Sequence, residues 1–99
     1  MLALITGASS GIGRDMARIL SKKGYDLILV ARRKERLLEL KKELDTKVTT
    51  IAMDLSIEKN NYELYEKVKS KKIDVLINNA GFGLFGEFVK TEIDTELKM

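Results

Sequence analysis

The sequence predicts an α/β fold built on a parallel sheet, and two observations support that expectation. Short apolar runs alternate with longer amphipathic stretches along the chain, which is the pattern of strands joined by helices. The runs Leu2 to Ile5, Leu27 to Val30 and Val75 to Ile77 are apolar on both faces. Strands covered by helices on either side need that pattern, and a half-solvated antiparallel strand does not.

Leu2-Ala3-Leu4-Ile5 reads as the first strand, followed at once by Thr6-Gly7-Ala8-Ser9-Ser10-Gly11-Ile12-Gly13. Ile12, Met16, Ala17 and Leu20 then fall at helical spacing, and Gly24 supplies a C-terminal stop. The second strand is Leu27 to Val30. From Lys34 to Leu44, Leu37, Leu38, Leu40 and Leu44 are interleaved with lysines and glutamates, an amphipathic helix. Val48 to Met53 is rich in β-branched residues and reads as the third strand. Ser56 is placed to cap a third helix, Glu58 to Ser70, with Leu64, Tyr65 and Val68 on its buried side. A fourth strand, Ile73 to Ile77, runs into Asn78-Asn79-Ala80-Gly81. Beyond a glycine-rich stretch, Phe82 to Glu87, Thr91-Glu92-Ile93-Asp94 reads as a capping box that opens another helix.

Right-handed crossovers between these elements predict the strand order 3-2-1-4. Val75, Leu76 and Ile77 would lie on an exposed edge, so the sheet is expected to continue. The sequence therefore reads as truncated before strand five, with residues 1–99 the N-terminal part of a single domain.

Composition narrows the function classes. A 44% hydrophobic and 33% charged chain is globular in character. The net charge is only +3, and its lysines and arginines are mixed with glutamates along helices, so a nucleic-acid partner is not expected. Cysteine and histidine are both absent, which removes disulfides, thiolate chemistry and the commonest metal ligands, and no metal site is expected. Leu2 to Ile5 is too short for a signal peptide or a membrane span, so a cytoplasmic location without a membrane partner is expected.

The chemistry lies at the strand ends. Gly7, Gly11 and Gly13 form G-x-x-x-G-x-G between a predicted strand and a predicted helix. Glycines there permit a tight turn, close backbone approach to a pyrophosphate, and close helix–strand packing. Phosphates would meet the free N–H groups and the positive end of the helix dipole.

This spacing resembles the short-chain dehydrogenase/reductase family, whose loop reads T-G-x-x-x-G-I-G. Asn78-Asn79-Ala80-Gly81 resembles the family's N-N-A-G after strand four, and Asp54-Leu55 its acidic position after strand three. The resemblance implies a partial Rossmann-like, dinucleotide-binding sheet in which Ser9, Ser10 and Ile12 line the phosphate loop. It implies that Asp54 accepts from the adenine amino group, with the Leu55 N–H nearby, and that Asn79, Ala80 and Gly81 pass beside the adenosine ribose. A side chain tying neighbouring strands is an equally good reading for Asn78.

Charge points to the cofactor. An NAD site needs a carboxylate about 20 residues beyond the last loop glycine, to hold the ribose 2′-hydroxyl. Ala31 stands there, followed by Arg32 and Arg33, and a guanidinium suits a 2′-phosphate. NADP(H) is therefore expected, although both arginines also suit the start of a charged helix. Tyr65 and Lys69 have the spacing of the family's catalytic pair, but they precede the N-N-A-G motif, whereas that pair follows it. Tyr65 is expected to be a core residue.

The resemblance implies a full-length enzyme moving hydride between NADP(H) and a carbonyl or alcohol substrate, most often as a homo-oligomer. Its catalytic asparagine, serine, tyrosine and lysine have no counterpart in these residues, so the chain alone is expected to be inactive. Two alternatives remain open at this point: a non-catalytic NADP-binding or sensing module, and a family member with epimerase or dehydratase chemistry.

Overall fold

The computed structural model describes residues 1–79. Four strands and three helices follow one another as β1 (Leu2–Thr6), α1 (Gly11–Lys22), β2 (Asp26–Ala31), α2 (Lys34–Glu43), β3 (Val48–Ala52), α3 (Glu58–Val68) and β4 (Val75–Asn78). All pairings are parallel and the order is β3-β2-β1-β4, as expected from the sequence. The expected bounds hold to within about two residues. The capping box at Thr91 to Asp94 and the stretch Phe82 to Glu87 lie outside the described residues.

Strand alternation divides the core into two layers. Ala3, Ile5, Leu27, Leu29, Ala31 and Val48 pack under α1 and α2 with Ala17, Leu20, Leu37 and Leu40. Leu4, Ile28 and Val30 face the other way and pack with Leu55, Leu64, Val68 and Ile73 on the α3 side. The chain moves outward from β1 to β3 and then reverses to β4. The same crossover hand therefore puts α3 on the opposite face from α1 and α2. That reversal opens a crevice at the carboxyl ends of the strands, where α/β sheets bind ligands.

Three local expectations need correction. Ile12 is 68% exposed and not part of the α1 packing stripe, because Gly13 occupies the first buried position of that helix. Tyr65 is half-buried beside the α3-side core, whose buried helical anchors are Leu64 and Val68. Ser56 does not cap α3: the cap position is Ile57, without a side-chain bond, and the Ser56 hydroxyl turns back to Asp54.

Helix α1 ends in a Schellman arrangement. The Tyr25 N–H donates to the Leu20 carbonyl at 3.0 Å and the Gly24 N–H to the Ser21 carbonyl at 2.9 Å. Gly24 sits at φ 91°, a conformation that side chains resist although space around it is open. Gly24→Ala is expected to destabilise the fold by about 1–2 kcal/mol, read as a lower urea midpoint with an unchanged slope. An unchanged midpoint would mean that the turn relaxes at no cost.

Candidate functional site

The β1–α1 loop is a small hydrogen-bonded cage. Gly7 takes the left-handed conformation at φ 64°. Its carbonyl then accepts from the Ser10 N–H at 3.1 Å and the Ser10 hydroxyl at 2.8 Å. The Ser10 Oγ also caps α1, accepting from the Gly13 N–H at 3.2 Å. That leaves the first-turn N–H groups of Gly11 and Ile12 with no partner inside the helix, the usual condition of a helix N-terminus. From the end of β4, Asn79 Nδ2 donates to Ser10 Oγ at 2.6 Å and to the Gly7 carbonyl at 3.4 Å. Beside it, Thr6 Oγ1 donates to Asn78 Oδ1 at 2.7 Å, joining the register pair Thr6 and Asn78 across β1 and β4. Asn78 thus takes the strand-tying role.

The glycines of the motif do different work. A Cβ on Gly13 would fall on the Gly7 carbonyl oxygen and stand 2.9 Å from the Ala8 Cα, so α1 and the loop meet backbone to backbone. A Cβ on Gly11 would meet nothing within 4 Å, and its φ lies outside the left-handed region. The fold itself does not require glycine at position 11.

A cleft of about 430 Å³ opens at the carboxyl ends of β1, β2 and β3. Gly7, Ser9 and Ser10 form one wall, Ala31 and Arg32 another, and Asp54, Leu55 and Ser56 a third. Asp54 Oδ1 accepts from the Ser56 hydroxyl at 2.6 Å and the Ser56 N–H at 2.9 Å. Those two bonds, with a weaker contribution from the Arg32 charge, hold the Asp54 carboxyl below the usual carboxylate range. A lowered folded-state pKa contributes stability above the ordinary value of about 3.9 and loses it as pH falls through the folded value. Wild type and Asp54→Asn are thus expected to differ in stability at neutral pH and to converge as pH falls below the ordinary carboxylate range and through the lowered folded value. Urea unfolding across that range checks this, and a constant difference would rule out the carboxylate as its source.

Of the expected site residues, Gly7, Ser9, Ser10, Arg32, Asp54 and Leu55 line the cleft. Asn79 is bonded to its glycine wall, and Gly11 and Ile12 open α1 beside it. Gly13 lies buried beneath the loop. Arg33 does not line the cleft and instead occupies the position before α2. Ala80 and Gly81 lie outside the described residues. Tyr65 is not in the cleft, and Lys69 pairs with Glu66 at 2.6 Å. Val30, Met53 and Ser56 also line the cleft and were not anticipated. The spacing Asp54-x-Ser56 was a signal for the last of these, since an Asp side chain commonly bonds the backbone two residues on.

Among the described residues no helix is long and apolar enough to cross a membrane. The family model for short chain dehydrogenases matches residues 1–99. A very-long-chain 3-oxoacyl-CoA reductase from Kluyveromyces lactis is 46% identical over 85 residues, covering 80% of this chain and 25% of that protein. A metagenomic short-chain oxidoreductase, solved in complex with NADP, superposes with a TM-score of 0.76 at 34% identity, covering 83% of this chain and 39% of that one. The L-sorbose reductase of Gluconobacter frateurii, solved with NADPH and L-sorbose, gives a TM-score of 0.71 at 38% identity, covering 82% of this chain and 33% of that one. The chain spans between 24% and 43% of the length of the curated relatives to which it is similar. With its glycine cage, its acidic turn after β3 and its β3-β2-β1-β4 sheet, the chain belongs to the short-chain dehydrogenase/reductase family of oxidoreductases.

Proposed function

We propose that residues 1–99 form the N-terminal, NADP(H)-binding part of a single dinucleotide-binding domain. In the whole protein that domain moves hydride between the cofactor and a carbonyl or alcohol carbon. The observation behind the cofactor choice is that the cleft wall after β2 presents Ala31 and then Arg32, with no carboxylate for a ribose 2′-hydroxyl. A guanidinium gives a 2′-phosphate paired, charge-assisted N–H donors. Arg33 follows as an exposed second cation outside the cleft wall.

The remaining residues fit the rest of such a molecule. Gly11 is glycine where the fold would accept a side chain, which leaves room for a pyrophosphate against the α1 N-terminus. Gly7, Ser9, Ser10 and the backbone of Ile12 complete that cradle, and Gly13 lets α1 approach it. Asp54 and the Leu55 N–H suit the amino group and ring nitrogen of adenine, while Asn79, Ala80 and Gly81 suit the adjoining ribose. When bound, the nicotinamide supplies or accepts the hydride. These 99 residues bind and orient the cofactor, and the chain alone is expected not to turn over a carbonyl.

Calorimetric titration with NADPH, NADH and 2′-phospho-AMP tests the reading. The 2′-phosphorylated ligands are expected to bind at least about tenfold more tightly than NADH, as one charge-assisted contact requires. Equal affinity for NADPH and NADH would overturn the cofactor assignment.

A further inference from the structure

The first turn of helix α3 carries two adjacent asparagines, Asn60 and Asn61, where helix propensity favours neither. Asn61 is only 1% exposed. Burying an amide is costly unless it is hydrogen-bonded, so its placement needs a reason. Both side chains reach back to the connection between β3 and α3. Asn60 Nδ2 donates to the Asp54 carbonyl at 2.8 Å. Asn61 Nδ2 donates to the Leu55 carbonyl at 2.9 Å, with longer contacts to Ile57 at 3.2 Å and Glu58 at 3.4 Å.

Peptide geometry turns these bonds into directions. No peptide bond in the described chain is cis, and across a trans peptide the C=O and the following N–H point opposite ways. Holding the Asp54 carbonyl toward α3 therefore aims the Leu55 N–H away from α3. Holding the Leu55 carbonyl in the same way sets the direction of the Ser56 N–H, which donates to Asp54 Oδ1 at 2.9 Å. One asparagine thus orients the backbone donor at this wall of the cleft, and the other orients the carboxylate through Ser56. The position before α3 has no side-chain cap of its own, so these two amides hold the turn from the helix side.

We infer that Asn60 and Asn61 are positioning residues for nucleobase selection, Asn60 acting through the Leu55 N–H and Asn61 through the Ser56 N–H on Asp54. The inference rests on the dinucleotide reading above. Adenine offers a ring-nitrogen acceptor and an amino donor to that pair. Hypoxanthine offers a ring N–H and an oxygen, so both contacts would turn repulsive. Asn60 and Asn61 would thereby control the choice between the two bases without touching either.

The test compares NADPH, NADH and the hypoxanthine analogue of NADPH by calorimetry on the full chain, as wild type, Asn60→Leu and Asn61→Leu. Wild type is expected to prefer adenine over hypoxanthine by about tenfold, the scale of one charge-assisted hydrogen bond. Each variant is expected to lose most of that preference while keeping the preference for NADPH over NADH. Asn60 is half-buried, so Asn60→Leu still decides the matter if the buried Asn61→Leu does not fold. Retained base preference in the variants overturns the inference and leaves the NADP(H) site standing. So does a wild type that binds NADPH without distinguishing the bases. Parallel loss of both preferences overturns it as well, because general loosening of the cleft would do that. A folded wild type that binds none of the three removes the cofactor reading itself, and this inference with it.

Discussion

Gly13→Ala is expected to destabilise the fold by about 2–3 kcal/mol and to abolish nucleotide binding along with it. The added methyl would fall on the Gly7 carbonyl oxygen and within 2.9 Å of the Ala8 Cα. Both are backbone atoms, so no rotamer change relieves the overlap. That carbonyl already accepts from Ser10 and Asn79, so displacing it would also pull apart the cage that joins β1, α1 and β4. Gly11→Ala is the matched control. Its methyl meets nothing within 4 Å, and replacing a helical glycine by alanine usually stabilises by roughly 0.5–1 kcal/mol. Position 11 opens the helix, so the lower end of that range is expected there. Gly11→Ala is thus expected to leave stability equal or slightly higher and to weaken NADPH binding. Thermal unfolding and calorimetry on both variants separate the two roles. Full NADPH affinity in Gly11→Ala would show that no ligand needs that space, and a stable Gly13→Ala would show that the α1 contact can slide.

Arg32→Ala is expected to erase the preference for 2′-phosphorylated ligands, a change of about tenfold to a hundredfold in the NADPH to NADH affinity ratio. Arg32→Glu is expected to reverse it, because a carboxylate repels the 2′-phosphate and can accept from a ribose 2′-hydroxyl. NADH affinity should change little in Arg32→Ala, since the loss is confined to the extra phosphate. Arg33→Ala should have the smaller effect, because Arg33 stands before α2 and does not line the cleft. If Arg33→Ala removed the preference and Arg32→Ala kept it, the two roles would be exchanged.

The strand order and the location of the cleft were legible in the sequence because each rests on a local, periodic signal. Leu2 to Ile5 and Leu27 to Val30 are apolar on both faces, which places them in the middle of a parallel sheet wherever else the chain goes. The glycine spacing at 7, 11 and 13 needed only its strand–turn–helix context to be read as a phosphate loop. Arg32 was read from its charge just past the second strand and Asp54 from the family resemblance, and both line the cleft.

The sequence by itself determined the architecture, the family and which strand ends face the cleft, because periodicity and motif spacing are properties of neighbours along the chain. Only the tertiary structure decided what each motif residue does there. Gly13 serves a backbone contact while Gly11 leaves space open, a distinction set by what lies across from each Cβ. Ser56 turns to Asp54 instead of capping α3, and Asn60 and Asn61 hold the turn that Ser56 left uncapped. Asn79 ties β4 to a loop 69 residues earlier. Those outcomes depend on which donor and acceptor meet once the strands are side by side. Hydrogen bonds act over about 3 Å in space; the Asp54-x-Ser56 spacing signals the local one, but no spacing along the sequence encodes the meeting of Asn79 with Ser10.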